Sequence, residues 1–386
     1  MSAALKDELD RLREGHLYRS RRVVEAGQGV HLQVDGRRVT AFCSNDYLGL
    51  ANHPSLIAAL KRGVDKYGVG SGAAHLVTGH SAAHHALEEE LADFLGRPRV
   101  LLFSTGYMAN LGVISALVGR ADQVFEDRLN HASLLDGALL SRSRLRRYPH
   151  ADSGALLRML GEGGVSLIAT DGVFSMDGDL APLPELAAVA QRAGAALMVD
   201  DAHGIGVLGR DGRGSLDHFR LGLEQASILV GTLGKAVGTF GAFAAGSDAL
   251  IETLIQRARS YIYTTAPPPA VAEATRASLV LVRRDDWRRE RLAELVQRFR
   301  RVAGQLGLPL LDSPTPIQPI VAGSAERALA WSQALEKRGI LVSAIRPPTV
   351  PEGSARLRIT FSAAHSDEDL ERLLEALAEL PACEVA

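Results

Sequence analysis

The hydrophobic pattern changes character several times along the chain. Leu5, Leu9 and Leu12 fall at helical spacing, so the first segment predicts an amphipathic helix. From Val30 to Val39 apolar and polar residues alternate around Asp35-Gly36, the mark of a β-hairpin. Between about residue 50 and residue 245, short apolar runs alternate with helical patterns. Val100 to Phe103, Gln123 to Phe125, Leu167 to Thr170, Ala196 to Val199 and Ile228 to Val230 are the strand candidates. Most are continuous runs rather than alternating ones, as expected when helices cover both faces of a parallel sheet.

Pro267-Pro268-Pro269 interrupts that rhythm, and a helical period then runs from Ala270 to about Leu306. Its arginines (Arg283, Arg284, Arg288, Arg289, Arg291) are interleaved with Asp and Glu, which predicts a solvated helix face rather than a nucleic-acid surface. The same reading applies to Arg19, Arg21 and Arg22 at the end of the first helix. Short strands at Ile317 to Val321 and Leu357 to Thr360 follow. The last helix begins at Ser366 with Asp369 three residues on, and Leu370, Leu373, Leu374 and Leu377 share one face. The pattern predicts an α/β chain with a mostly parallel sheet in the large domain and a smaller α+β domain at the C-terminus. The expected boundaries are 1–49 for the N-terminal helix and hairpin, 50–281 for the large domain and 282–386 for the small one.

Bulk properties narrow the picture by exclusion. At 386 residues, with 46% apolar and 23% charged residues, the chain has the composition of a folded protein of about two domains. A net charge of −2 gives no general attraction to nucleic acid or an anionic membrane. The two cysteines, Cys43 and Cys383, are far apart and in no metal-like spacing, so neither a disulfide framework nor a structural metal is expected. The N-terminus lacks the apolar core of a signal peptide, and no apolar run approaches membrane-spanning length. The expected location is the cytoplasm.

Chemistry concentrates just after the strands. STG follows Phe103, EDRLNHAS follows Phe125, DGVFSMDG follows Thr170, DDAHG follows Val199 and GTLGK follows Val230. Ligands of open α/β sheets bind beyond the carboxyl ends of strands, so five such loops make a site by accumulation. Lys235 stands alone among small residues after a buried strand, where an accessible amine can form a Schiff base with an aldehyde. The turn is no Walker loop: Leu229 stands where that motif needs Gly, and Ala236 where it needs Ser or Thr. Asp200 ends a buried strand and needs a cationic partner, which the protonated ring nitrogen of pyridoxal 5'-phosphate supplies. His203 can reach the same cofactor's phenolic oxygen. Gly106 and Tyr107 open a helix whose N–H groups favour phosphate. Thr232 offers a hydroxyl, His131 a flat lid, and Ser175 a further polar contact.

Asn45 to Gly49 (NDYLG), Gly70 to Gly72, Asp127 to Ser133 (DRLNHAS), Ser175 to Gly178, VDDAHG at Val199 to Gly204, and Thr232 to Lys235 resemble the α-oxoamine synthases. These are pyridoxal-phosphate acyltransferases that join an amino acid to an acyl-CoA with loss of carbon dioxide, and the resemblance covers nearly the whole chain. It implies a fold-type-I, aspartate-aminotransferase-like transferase. Ala344 to Thr360 (AIRPPTVPEGSARLRIT) is most similar to the biotin-pathway member, which implies L-alanine and pimeloyl-CoA, or pimeloyl-carrier protein, as substrates. A relative using glycine with a short acyl-CoA, a non-catalytic family subunit and an aminotransferase are the alternatives.

The resemblance makes Lys235 the Schiff-base lysine, Asp200 the partner of the pyridine nitrogen and His131 the stacking group. His203 and Ser175 hold the oxygen side of the ring, and Gly106, Tyr107 and Thr232 surround the cofactor and its phosphate. Arg358 takes the amino-acid carboxylate, Asn45 lies near the substrate, and Arg19 and Thr349 contact the acyl part. A homodimer with shared sites is also implied, with Thr265, rather than Thr264, reaching the neighbouring subunit's phosphate. One departure is Asn130, where a family member has Ser before the stacking histidine.

Overall fold

A computed structural model describes residues 2–160 and 167–380, and Cys383 lies outside them. The strands in chain order are β1 (His31–Val34), β2 (Arg37–Ala41), β3 (Arg99–Phe103), β4 (Gln123–Asp127), β5 (Arg144–Tyr148), β6 (Leu167–Asp171), β7 (Ala196–Asp200), β8 (Ile228–Thr232), β9 (Ala242–Gly246), β10 (Ile317–Gly323), β11 (Ile340–Leu341), β12 (Ser343–Ile345) and β13 (Ala355–Thr360). The chain divides into two compact units. One comprises residues 50–175 and 180–286; the other comprises 1–49, 176–179 and 287–386.

The first of these units is built on a seven-stranded sheet in the order β3-β9-β8-β7-β6-β4-β5. β8, β7, β6, β4 and β5 pair in parallel, and β9 runs antiparallel to both of its neighbours. The carboxyl ends of β3, β4, β6, β7 and β8 therefore open on one edge. β6 is buried at every position, as its unbroken apolar run predicts. One face packs Leu101, Val124, Met198 and Val230 against Ala109 and Val113 of the helix Gly106–Leu117 and against Leu134 and Ala138 of the helix Ala132–Ser141. Two features were not foreseen. β5 (RLRRY) is an edge strand with four of its five side chains at least partly exposed, so its pattern reads as a solvated loop. β9 (AFAAG) is wholly buried, but its alanines and glycines carry little strand propensity.

The other unit has two small sheets. β1 and β2 form the expected hairpin, with Asp35 and Gly36 both at positive φ (48° and 75°), and β11 adds in parallel to β2. β13 lies between β10 and β12, antiparallel to both. The helix Asp367–Ala378 carries the full capping box, with Ser366 and Asp369 each satisfying the other's main-chain N–H. The long helical period predicted to Leu306 is two helices, Pro269–Arg284 and Trp287–Gln305. The solvated-face expectation also needs correction, because Arg288 is buried and donates to the Leu48 carbonyl at 2.8 Å. Arg22 likewise grips Asp35 and Glu336. Among the described residues no helix is long and apolar enough to cross a membrane.

Candidate active site

Eight of the predicted site residues stand at the carboxyl edge of the seven-stranded sheet, at the ends of its strands or on segments that leave them there. Asp200 is the last residue of β7 and is 5% exposed. Its Oδ2 accepts from Asn110 Nδ2 at 2.6 Å and its Oδ1 from the Ala202 N–H at 3.0 Å. Both donors are neutral, so among the described residues this buried carboxylate has no hydrogen-bonded cation, which suits a cationic ring nitrogen. Lys235 lies half-buried in the connection between β8 and β9. Its Nζ is 2.8 Å from His203 Nε2, three residues past Asp200. Thr232 closes this loop from within: its hydroxyl donates to the Gly241 carbonyl at 3.1 Å and accepts from the Gly234 N–H at 3.3 Å.

His131 caps the helix Ala132–Ser141, its Nδ1 accepting from the Ser133 N–H at 3.2 Å. The main-chain N–H of His131 donates to Asp171 Oδ2 at 2.6 Å. Asp171 sits beside Asp200 across the β6–β7 register, and burial, then the neighbouring Asp200 charge, raises its pKa well above the carboxylate range. Although His131 stands at the surface, crowding of protein around the imidazole lowers its pKa; Asp200 opposes the shift and Lys235 adds to it. Tyr107 meets the His131 ring edge-on, centroids 6.4 Å apart at 80°, and its hydroxyl donates to Asp136. Gly106 and Tyr107 open a twelve-residue helix capped by Thr105, which accepts from the Met108 N–H at 3.2 Å. The space where a Cβ on Gly106 would stand is open, so a ligand oxygen can approach the N–H groups of this first turn. Ser175 follows β6 and is half-buried, while Thr264 is half-buried and Thr265 exposed after the helix Arg259–Ile262.

The remaining predicted residues belong to the other unit. Arg358, on β13 and 6% exposed, directs both Nη atoms at Asn45 Oδ1, each at 3.3 Å, and Tyr47 donates its hydroxyl to the same oxygen at 3.2 Å. Arg19 donates to Thr349 Oγ1 at 3.3 Å. Both help line a pocket of about 90 Å³ with Arg346 and Pro347.

Sequence reasoning missed Asn110, Ser133 and Asp171. Asn110 is wholly buried on the helix that Gly106 opens, and its partners lie 23 and 90 residues away. Only the polar interruption of an apolar helix, ANLGVISAL, could have drawn attention to it. The histidine series His75, His80 and His84 was also passed over. Those rings are held by hydrogen bonds: His75 Nδ1 to His80 Nδ1 at 3.0 Å, the Ser81 N–H to His84 Nδ1 at 3.1 Å, and His84 Nε2 to the Pro267 carbonyl at 2.8 Å.

Comparison with known proteins places this geometry in a family. Residues 37–377 match the aminotransferase class I and II model. The 8-amino-7-oxononanoate synthase of Nitrosococcus oceani is 67% identical over 97% of this chain and 100% of its own, and that of Methylococcus capsulatus is 67% identical over 94% of each. Among solved structures, the serine palmitoyltransferase of Sphingomonas wittichii overlays with a TM-score of 0.91 at 31% identity, covering 98% of this chain and 96% of its own. A serine palmitoyltransferase solved with PLP gives the same TM-score and identity, over 97% and 96% of the two chains. The 8-amino-7-oxononanoate synthase of Francisella tularensis gives 0.79 at 35% identity, over 88% and 97%.

Proposed function

This chain belongs to the aminotransferase class I and II family, and within it to the α-oxoamine synthases; from that premise we infer that it is a pyridoxal-phosphate-dependent acyltransferase of biotin biosynthesis catalysing the 8-amino-7-oxononanoate synthase reaction. The observation that carries the reaction is sequence identity to enzymes of that activity sustained across nearly the full chain. The greater overlap with serine palmitoyltransferase does not change it, because a fold persists while its substrates change. As substrates we propose L-alanine and a pimeloyl thioester, carried by CoA or by a carrier protein.

The buried Asp200 with neutral donors, the adjacent Lys235–His203 pair and the open helix N-terminus at Gly106 fit pyridoxal phosphate. When bound, the cofactor supplies an aldehyde carbon for amine capture and a cationic ring that stabilises negative charge at the substrate's α-carbon. The chain's own residues do the rest. Asp200 would hold the ring nitrogen's proton, and the N–H groups of Gly106 and Tyr107 would receive the phosphate. Lys235 Nζ moves a proton at the α-carbon, and the 2.8 Å contact with His203 Nε2 gives it a partner to hold and aim it. His131 would cover the ring face, and Ser175 and Thr232 would offer further contacts to the cofactor. Arg358, with both Nη atoms on one side-chain oxygen of Asn45, is assigned the amino-acid carboxylate, and the Arg19–Thr349 pair the acyl part.

The test is free-thiol release. Purified protein loaded with pyridoxal phosphate and given pimeloyl-CoA should release CoA with L-alanine and not with glycine. Release with glycine alone, or with a short acyl-CoA in preference, overturns the substrate assignment.

A further inference from the structure

Asn110 carries two hydrogens on Nδ2, and both are spent. One goes to Asp200 Oδ2 at 2.6 Å and the other to Ser133 Oγ at 2.8 Å. Ser133 Oγ is thereby an acceptor from Asn110, which frees its own hydrogen to be donated to His131 Nδ1, 2.7 Å away. The Ser133 N–H points at the same ring nitrogen at 3.2 Å. Two donors converging on Nδ1 make that atom an acceptor, so the ring's proton sits on Nε2. The chain of donors has one direction, from the amide through the hydroxyl to the imidazole. It also fixes the amide, because the opposite rotamer would set Asn110 Oδ1 against the Asp200 carboxylate. Asn110 and Ser133 are both fully buried, so neither donor has water as a substitute.

We propose that Asn110 is a positioning residue of the cofactor site, which holds the Asp200 carboxylate on one side and, through Ser133, sets the tautomer and orientation of the His131 ring on the other. The two groups assigned to the cofactor's ring nitrogen and to its face are therefore one hydrogen-bonded unit. The proposal rests on the cofactor reading above only for its consequence; the tautomer itself belongs to the protein without cofactor. The groups facing the His131 side chain are Asp200 and Lys235 from β7 and the loop after β8, Asp136 on its own helix, and the edge of Tyr107, while Asp171 holds its main-chain N–H.

The experiment measures imidazole ¹⁵N shifts and the protonation midpoint of His131 by NMR in the full chain, with and without pyridoxal phosphate, alongside the dissociation constant for pyridoxal phosphate. Wild type should show an unprotonated Nδ1 at neutral pH. Asn110→Asp places a second carboxylate at this junction and should raise the His131 midpoint by about one pH unit. Asn110→Ala should weaken pyridoxal phosphate binding about tenfold by freeing the Asp200 side chain. Ser133→Ala should broaden or mix the tautomer signals while leaving the Asn110–Asp200 contact and cofactor affinity within about twofold of wild type. A purely structural role would lower the melting temperature in all three and move none of these readouts. An Nδ1–H tautomer in the wild-type chain overturns the proposal even where a variant fails to fold. So do folded Asn110 variants with unchanged His131 titration and unchanged affinity. Failure of the wild-type chain to bind pyridoxal phosphate would instead overturn the cofactor reading and leave the tautomer result standing.

Discussion

Asp200 and Asp201 are neighbours in sequence and have opposite circumstances. Asp200 faces the candidate site, while Asp201 is fully buried and accepts from the Ser215 N–H at 2.7 Å. Three glycines make room for its carboxylate: a Cβ at Gly204 would stand 2.1 Å from Oδ1, one at Gly214 2.0 Å from Oδ2, and one at Gly172 2.8 Å from Oδ1. Burial, with the Asp200 charge as a lesser contribution, pushes the Asp201 pKa up to about 7 from 3.8. An acid whose folded pKa is raised is most favourable to the fold when protonated. Its contribution is full below the unfolded value of 3.8 and is lost as pH rises toward about 7. Asp201→Asn, neutral throughout, should therefore gain on wild type in melting temperature between pH 5 and pH 8. Parallel melting curves across that range would show that Asp201 does not titrate there. From the sequence VDDAHG only the first aspartate drew an assignment, because strand alternation separates the two side chains and nothing local marks the second. The glycines that accommodate the second lie up to 29 positions away.

At the scale of elements, close approach replaces side-chain packing where two helices cross. Gly63 in the helix Pro54–Tyr67 faces Ala270 in the helix Pro269–Arg284, and a Cβ on Gly63 would fall 2.7 Å from the Ala270 Cα. The obstacle is backbone, so Gly63→Ala should destabilise the chain by about 1–3 kcal/mol despite alanine's better helix propensity, measured as a lower midpoint in urea. A stabilised variant would mean that the helices part freely. Such crossings explain which elements the pattern could reveal. The five runs of the large sheet that the pattern marks are each buried at four or more of their five positions and rich in large apolar residues, so hydrophobicity identifies them. β5 escaped because solvent covers most of it, and β9 because contact with its neighbours, rather than any local propensity, makes AFAAG a strand. The break at Asp285-Asp286 between the two long helices escaped for a related reason, since the helical period continues on either side of it.

For the whole molecule, the segment before the proline run bears on assembly. Tyr261 is buried at 4% exposure, whereas Tyr263 is 71% exposed and Thr265 is also open. We propose that a second copy covers this stretch in a homodimer, with Thr265 contributing to the partner's site, in keeping with the two-fold assemblies commonest among homo-oligomers. Mixing an inactive Lys235→Ala chain with an inactive chain altered at Thr264 and Thr265 should restore activity, because one site in each hybrid dimer then collects both lesions and the other none. No recovery, with subunit exchange demonstrated, would sink sharing through these threonines. The division into two units has a consequence for synthesis as well. The unit that contains the hairpin brings β11, beginning at Ile340, beside β2 at Thr40, and Leu341 packs against Leu32, Val34, Val39 and Ala41. The hairpin leaves the ribosome with that strand edge and apolar face bare, and its partner is still some 300 residues from being made. At roughly 5–20 residues per second the wait is roughly 15–60 s, long enough for the nascent N-terminus to need protection from pairing with other chains.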